Sequence, residues 1–270
     1  MIDIIIDAII DVLKLIPFLF LSFLIMELIE HKLNNKKLTK LNKFGPLAGS
    51  ILGIIPECGF STLASNLYAA RIISLGTLFS IYLSTSDEMI PIMISHQTSL
   101  ISIINIISIK FLLALFFGVL IDIIYHKKIT NKIHNFCEEE HCHCEDDGII
   151  KSSIIHTLKI ALFILIINII LNSIIDKSLV TSFINKNKIL SPIILSIIGL
   201  IPNCASSVII TELYLDNIIP LGSTISGLLA GSGVGLLVLF KQNKNIKENL
   251  LILILLIFIS SISGIIFNLI

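Results

Sequence analysis

The residues best placed to do chemistry are Ser84-Thr85-Ser86-Asp87-Glu88-Met89, set in an otherwise apolar stretch. A carboxylate at the centre of a membrane helix costs about 2.5–3.5 kcal/mol on insertion scales, so an adjacent pair persists only with a partner, a proton or a cation. Asp87 and Glu88 among carbonyls and the Ser86 hydroxyl suit a divalent cation, and the Met89 thioether shifts the preference toward a transition metal. Pro91, three residues beyond Glu88, favours a helix break that would free carbonyls for coordination. The plainer reading is a carboxylate pair that caps a half-helix or faces Arg71. Which of Asp87 and Glu88 is the ligand stays open.

Two further groups carry ligand-type residues. Pro56-Glu57-Cys58-Gly59 and Pro202-Asn203-Cys204 each interrupt an apolar stretch. Asn66 and Glu212 follow at matching distances and add an amide and a carboxylate. Cys58 and Cys204 are either soft ligands that approach one another or small buried hydrophobes. The third group lies between the apolar halves: residues 134–147 hold three Cys, three His and six acids within 14 residues. Its His134, Cys137, His141, Cys142, His143 and Cys144 are the usual ligand types for zinc-like ions. Without apolar periodicity this tract reads as a flexible chelating loop; the plainer reading is a solvated acidic linker.

The elements that must position these residues are membrane helices. The chain has 270 residues, 55% hydrophobic and only 14% charged, with mean hydropathy +0.98. A soluble domain would carry roughly 25% charged residues. Apolar stretches at 8–30, 74–95, 98–125, 152–175, 218–240 and 249–270 reach the length needed to cross ~30 Å of hydrocarbon. Two more, 46–70 and 192–213, are broken by Pro56 and Pro202. Lys plus Arg and Asp plus Glu each number 19, so the net charge is zero and no broad basic surface for nucleic acid exists. Asp3, Asp7 and Asp11, with no small-residue cleavage site after them, argue against a removable signal peptide. The five cysteines suggest no disulfide framework.

Shifting the chain by 146 residues aligns 53–86 with 199–232 without a gap, with 14 of 34 positions identical. The matches include Pro56/Pro202, Cys58/Cys204, Tyr68/Tyr214 and Gly76/Gly222, which a shared richness in Ile does not explain. If the broken stretches are re-entrant hairpins, thirteen Lys and Arg fall on the cytoplasmic side and three outside, at 176–188. That favours an inverted arrangement over parallel halves. The predicted fold is therefore an all-α polytopic membrane protein of two inverted repeats, each with a re-entrant helical hairpin. Residues 1–125 form the first repeat, 126–151 a cytoplasmic Cys/His/acidic loop, and 152–270 the second repeat. Paired broken helices at matching places point to a transport site at the bilayer midplane. The charge is not repeated: Gly233-Val234 stand where the first half has Asp87-Glu88.

The runs Ile55-Pro56-Glu57-Cys58-Gly59-Phe60-Ser61, Ala64-Ser65-Asn66-Leu67-Tyr68-Ala69-Ala70-Arg71 and Leu83-Ser84-Thr85-Ser86-Asp87-Glu88-Met89-Ile90-Pro91 resemble a bacterial family of ten-helix heavy-metal exporters, variously labelled manganese transporters or arsenic-efflux-like permeases. Ile201-Pro202-Asn203-Cys204, Gly231-Ser232-Gly233-Val234-Gly235, and the opening Leu15-Ile16-Pro17-Phe18 and Met26-Glu27-Leu28-Ile29-Glu30-His31 extend the resemblance over nearly the whole chain. It implies five helices per half, a multi-pass protein of the bacterial plasma membrane, and outward movement of metal. The family's central loop is often rich in His, Asp and Cys; here it is short, and its 134–147 tract holds three His.

Arsenite prefers three thiolates, and only Cys58 and Cys204 lie in the membrane segments, whereas Asp87, Glu88 and Met89 match a Mn²⁺-like or Zn²⁺-like ion. The expected function is secondary-active export of a divalent transition-metal ion, with an arsenite or organoarsenical permease as the alternative. The metal is substrate; no resident cofactor is expected. No Walker-type phosphate loop is present, so a proton or another coupling ion would supply the energy, with Asp87, Glu88, Glu57 or Glu212 as proton carriers. A lipid-pyrophosphate phosphatase would need an Arg in its phosphate-binding loop, and neither hairpin tip has one, so an enzyme is not expected. A metal sensor or partner subunit that transports nothing is the third class.

Overall fold

A computed structural model describes residues 44–55, 58–85, 89–125, 149–174, 189–202 and 204–269, with further helical residues between 9 and 24. All regular structure among the described residues is helical. The helices are α1 (Gly45–Leu52), α2 (Cys58–Ala69), α3 (Leu75–Ser84), α4 (Met89–Ser95), α5 (Leu100–Ile124), α6 (Ile149–Ile174), α7 (Leu190–Gly199), α8 (Cys204–Leu215), α9 (Leu221–Ala230), α10 (Gly235–Gln242) and α11 (Ile246–Leu269). Helix α6 begins at Ile149, so the last residues of the expected loop are already helical.

The internal repeat extends into the backbone. Adding 146 to the bounds of α2 gives those of α8, and adding it to α3 gives α9. The turn after each hairpin helix repeats as well. Arg71 and Asn217 are both left-handed, with φ of 62° and 56°. Arg71 N donates to Tyr68 O and Ile72 N to Leu67 O; Asn217 N donates to Tyr214 O and Ile218 N to Leu213 O. This pair of bonds around a left-handed residue satisfies the orphan carbonyls of a helix end.

Small residues set the packing. A Cβ at Gly45 would lie 2.1 Å from Thr77 Oγ1, and one at Gly53 would lie 1.9 Å from Ser84 Oγ, so α1 and α3 run alongside in the same direction. Helix α2 runs back against α3: residues 70–74 turn the chain, and the Ser65 hydroxyl meets the Tyr82 hydroxyl at 2.6 Å. Helix α5 crosses α3 in the opposite sense, with Gly76 against Gly118 and Ser80 Oγ donating to Ala114 O at 3.1 Å. The second half repeats this with Gly222 against Gly264 and Asn268. Close backbone approach through small residues is how helices associate where lipid removes the hydrophobic drive between them.

The two halves interlock reciprocally. Helix α2 packs on α10, and their repeat counterparts, α8 and α4, pack on each other likewise. Gly235 makes the first contact possible, since a Cβ there would sit 2.8 Å from the Ser61 backbone. Ser65 Oγ also reaches Gly235 O at 2.6 Å.

Burial runs from a small-residue and polar centre to an apolar outside. Residues 76–84 of α3 and 222–230 of α9 are all buried, and they include Thr77, Ser80, Ser84, Ser223, Thr224 and Ser226. Leu100, Ile104, Leu112 and Phe116 on α5, and Leu250, Ile254 and Phe258 on α11, are exposed, as befits a lipid-facing surface. Leu100–Ile124, Leu221–Gln242 and Ile246–Leu269 are long and apolar enough to cross a membrane. The middle one is not continuous: it breaks between Ala230 and Gly235, at Gly233 in the left-handed region with φ 54°. The stretch 74–95 is also discontinuous, its first helix ending at Ser84 and its second starting at Met89, where Pro91 led a break to be expected; the break inside 218–240 was not expected.

Candidate cation site at the paired helix breaks

Helices α3 and α9 end inside the protein. Thr85 leaves helical geometry at φ −55° and ψ 129°, and Gly231 does so at φ −67° and ψ 82°. A helix that stops leaves its last carbonyls without intrahelical donors and gathers partial negative charge there. In the second half the consequence is explicit. Ser232 N, which would donate to Leu228 O in a continuing helix, donates instead to Ala230 O at 2.8 Å.

Both helix ends converge on one side chain. Lys110, on α5, is buried to 1% exposure. Its ammonium donates to Leu228 O at 3.0 Å and to Thr85 O. One cation thus serves a terminal carbonyl from each half of the molecule, at the negative ends of two helix dipoles. Its counterpart under the repeat is Leu256, buried in the apolar core, so the charge is single. Lys110 was missed by the sequence reading, which took 98–125 as an uninterrupted apolar span. The available signal was an ionisable residue in the middle of such a span.

Ser86, Asp87 and Glu88 directly follow Thr85 in the chain and lie outside the described residues, as do Glu57, Asn203 and the whole loop set His134, Cys137, His141, Cys142, His143 and Cys144. Cys58 and Cys204 are the first residues of α2 and α8. Asn66 is buried on α2, and Glu212, its counterpart, is part-buried on α8. Met89 is buried in an apolar cluster with Met93, Ile209, Ile210 and Leu213, a packing environment that joins α4 to α8. Among the described residues no three His, Cys, Asp or Glu gather as a metal-binding group. What the described part offers a cation is oxygen. The carbonyls of Thr85 and Leu228 converge, while the Ser84 and Thr85 hydroxyl protons are used within the helix, donating to Ser80 O and Ile81 O at 2.6 Å each.

A second polar centre lies where the α2 turn meets the turn between α10 and α11. Arg71 donates to Glu248 Oε1 at 2.8 Å and Oε2 at 2.7 Å, and the Tyr68 hydroxyl donates to Glu248 Oε1 at 2.5 Å. Asn243 and Asn249 bond to each other behind it. The carboxylate partner of Arg71 is therefore Glu248, and the reading in which Asp87 or Glu88 faces Arg71 loses its basis. The positions equivalent to Arg71 and Glu248 are Asn217 and Ser102, so this ion pair has no repeat counterpart.

The helical architecture and lipid-type surface define the class: a multi-pass membrane protein built on paired discontinuous helices. The chain matches the family described as "Putative, 10TM heavy-metal exporter" over residues 1–177 and 156–270, and it belongs to that family. Counting the described helical residues between 9 and 24 as one element, with α1, α2, the broken α3–α4 and α5, gives five elements per half, in agreement with ten. No match was found among curated proteins or among solved structures.

Proposed function

We propose that this chain is a secondary-active transporter that exports a divalent transition-metal ion, Mn²⁺-like or Zn²⁺-like, through a site at the meeting of its two helix breaks. The observation that carries the reading is the convergence of Thr85 O and Leu228 O, one from each half, on a single buried cationic group. A place that already holds one cation on helix-end carbonyls is built for positive charge. Asp87 and Glu88 follow Thr85 by two and three residues and would supply the charge that turns a monovalent perch into a divalent one. Ser86 and the half-helix ends would add neutral oxygens; Glu57, Cys58, Asn66, Asn203, Cys204 and Glu212 would line the path on the hairpins.

Inverted halves in a bacterial plasma membrane fit the Lys and Arg distribution and place the Cys/His/acidic loop in the cytoplasm, where reduced thiols can deliver metal to the site. Efflux from proteoliposomes tests the function. Wild type should move Mn²⁺ or Zn²⁺ when driven by an imposed proton gradient, and Asp87→Asn and Glu88→Gln should each cut the rate at least tenfold. Unchanged flux in both variants refutes the site; arsenite flux lost in Cys58→Ser but kept in the carboxylate variants replaces the cargo.

A further inference from the structure

The orphaned carbonyls at the helix breaks have a resident donor, and its chemistry suggests what fills the site when cargo is absent. Lys110 sits on α5, a continuous helix, while its ammonium bonds across to the ends of two discontinuous ones. The Leu228 carbonyl it takes is the one that the α9 break has stripped of its helical donor. Four methylenes separate the Lys110 ammonium from its own backbone, so the charge can swing without any movement of α5.

We propose that Lys110 is a tethered counter-cation: it occupies the helix-end carbonyls when cargo is absent and is displaced from them when the metal binds. The inference rests on the proposed cation site. The ammonium and a divalent ion seek the same oxygens, and two cations cannot share carbonyls at contact distance in a medium that screens so weakly. Either the metal or the lysine holds the ends of α3 and α9 together. The carrier then has two closed forms, metal-loaded and lysine-filled, and it returns in the second with the coupling ion aboard, which keeps export tied to the gradient. Without the lysine, the empty carrier would have to move with two terminal carbonyls unsatisfied away from water, which is unfavourable. Lys110 would thus make the return half of the cycle possible. The absence of a second-half equivalent, Leu256 standing in its place, fits a single counter-cation shared by both halves.

The test separates net transport from exchange. Net export needs the empty carrier to return; swapping labelled for unlabelled metal across the membrane does not. In proteoliposomes, Lys110→Met should lose net Mn²⁺ efflux at least tenfold while ⁵⁴Mn²⁺/Mn²⁺ exchange stays within about threefold of wild type. Net efflux at the wild-type rate overturns the inference, as does equal loss of both activities in a protein that remains monodisperse. A second measurement needs no variant to function. In wild-type protein carrying ¹⁵N at lysine side chains, with the Lys110 signal assigned by its loss in Lys110→Arg, saturating Zn²⁺ should shift that signal. A signal unmoved at saturation overturns the displacement. Failure of the cation site shows itself differently, as a wild-type protein that neither exchanges nor exports metal.

Discussion

The Arg71–Glu248 pair joins the hairpin turn of the first half to the first turn of α11 in the second, and its strength can be worked from its geometry. Replacing Glu248 by Gln removes the charge but keeps the shape. Exposed ion pairs contribute about 0–1 kcal/mol, and breaking a fully buried one costs about 3–5 kcal/mol. Here the side chains are 28% and 12% exposed, the contact is two-pronged at 2.8 and 2.7 Å, and Tyr68 adds a third short bond. Charge-assisted bidentate geometry places it above the surface range, and partial solvation keeps it below the buried one. The coupling between Arg71→Gln and Glu248→Gln should be about 2 kcal/mol, equivalent to roughly a 30-fold change in the unfolding equilibrium. Unfolding of the four proteins of the double-mutant cycle in mixed detergent micelles measures it. Arg71→Lys should keep less than half of the coupling, since an ammonium cannot make the fork. A coupling below about 0.5 kcal/mol, with the two substitutions simply additive, would refute the reasoning.

Two further outcomes follow from packing and capping, and a third from the metal-ligand residues of the central loop. Gly76→Ala should abolish folding or lower the melting temperature sharply, because its Cβ would lie 2.1 Å from Gly118 O; Gly231→Ala, with nothing nearer than 3.5 Å, should melt within a few degrees of wild type, and comparable losses would show that small-residue contacts do not set the helix spacing. Asp122 accepts from Gly76 N at 2.8 Å and from Ser74 Oγ at 2.7 Å, so Asp122→Ala should cost about 1–2 kcal/mol in the same unfolding assay. Asp122→Asn should cost less than half of that, since Asn268 stands at the equivalent position and bonds Ser223. Replacing the six His and Cys between His134 and Cys144 should lower Zn²⁺ stoichiometry in calorimetry while leaving the maximal export rate within about twofold; a lost export rate would make the loop part of the transport path.

The repeat was legible because Pro, Cys, Tyr and Gly recur at one offset in a chain where Ile is uninformative, and the bounds of α2 and α3 return in α8 and α9. The break at Pro202 was visible for the same reason. The break inside 218–240 was not, because Gly231-Ser232-Gly233-Val234 is apolar enough to continue a span, and only its backbone shows the left-handed Gly233. Lys110 escaped notice because one charge is averaged away among the apolar neighbours of a long helix. Its role depends on the ends of α3 and α9, which lie far from it in sequence and meet only after folding. Arg71 stood in the sequence as a group that a carboxylate could face, but its partner Glu248 lies 177 residues away, beyond what spacing can pair.

The central claim is that cargo binds where the two broken helices meet. Anomalous diffraction from crystals grown with Mn²⁺ would locate the ion directly. The account predicts one principal peak inside the protein, between the ends of α3 and α9, in contact with the Asp87 or Glu88 carboxylate and beside Thr85. A principal peak at Cys58 and Cys204 away from those helix ends, or only in the loop from His134 to Cys144, would contradict it.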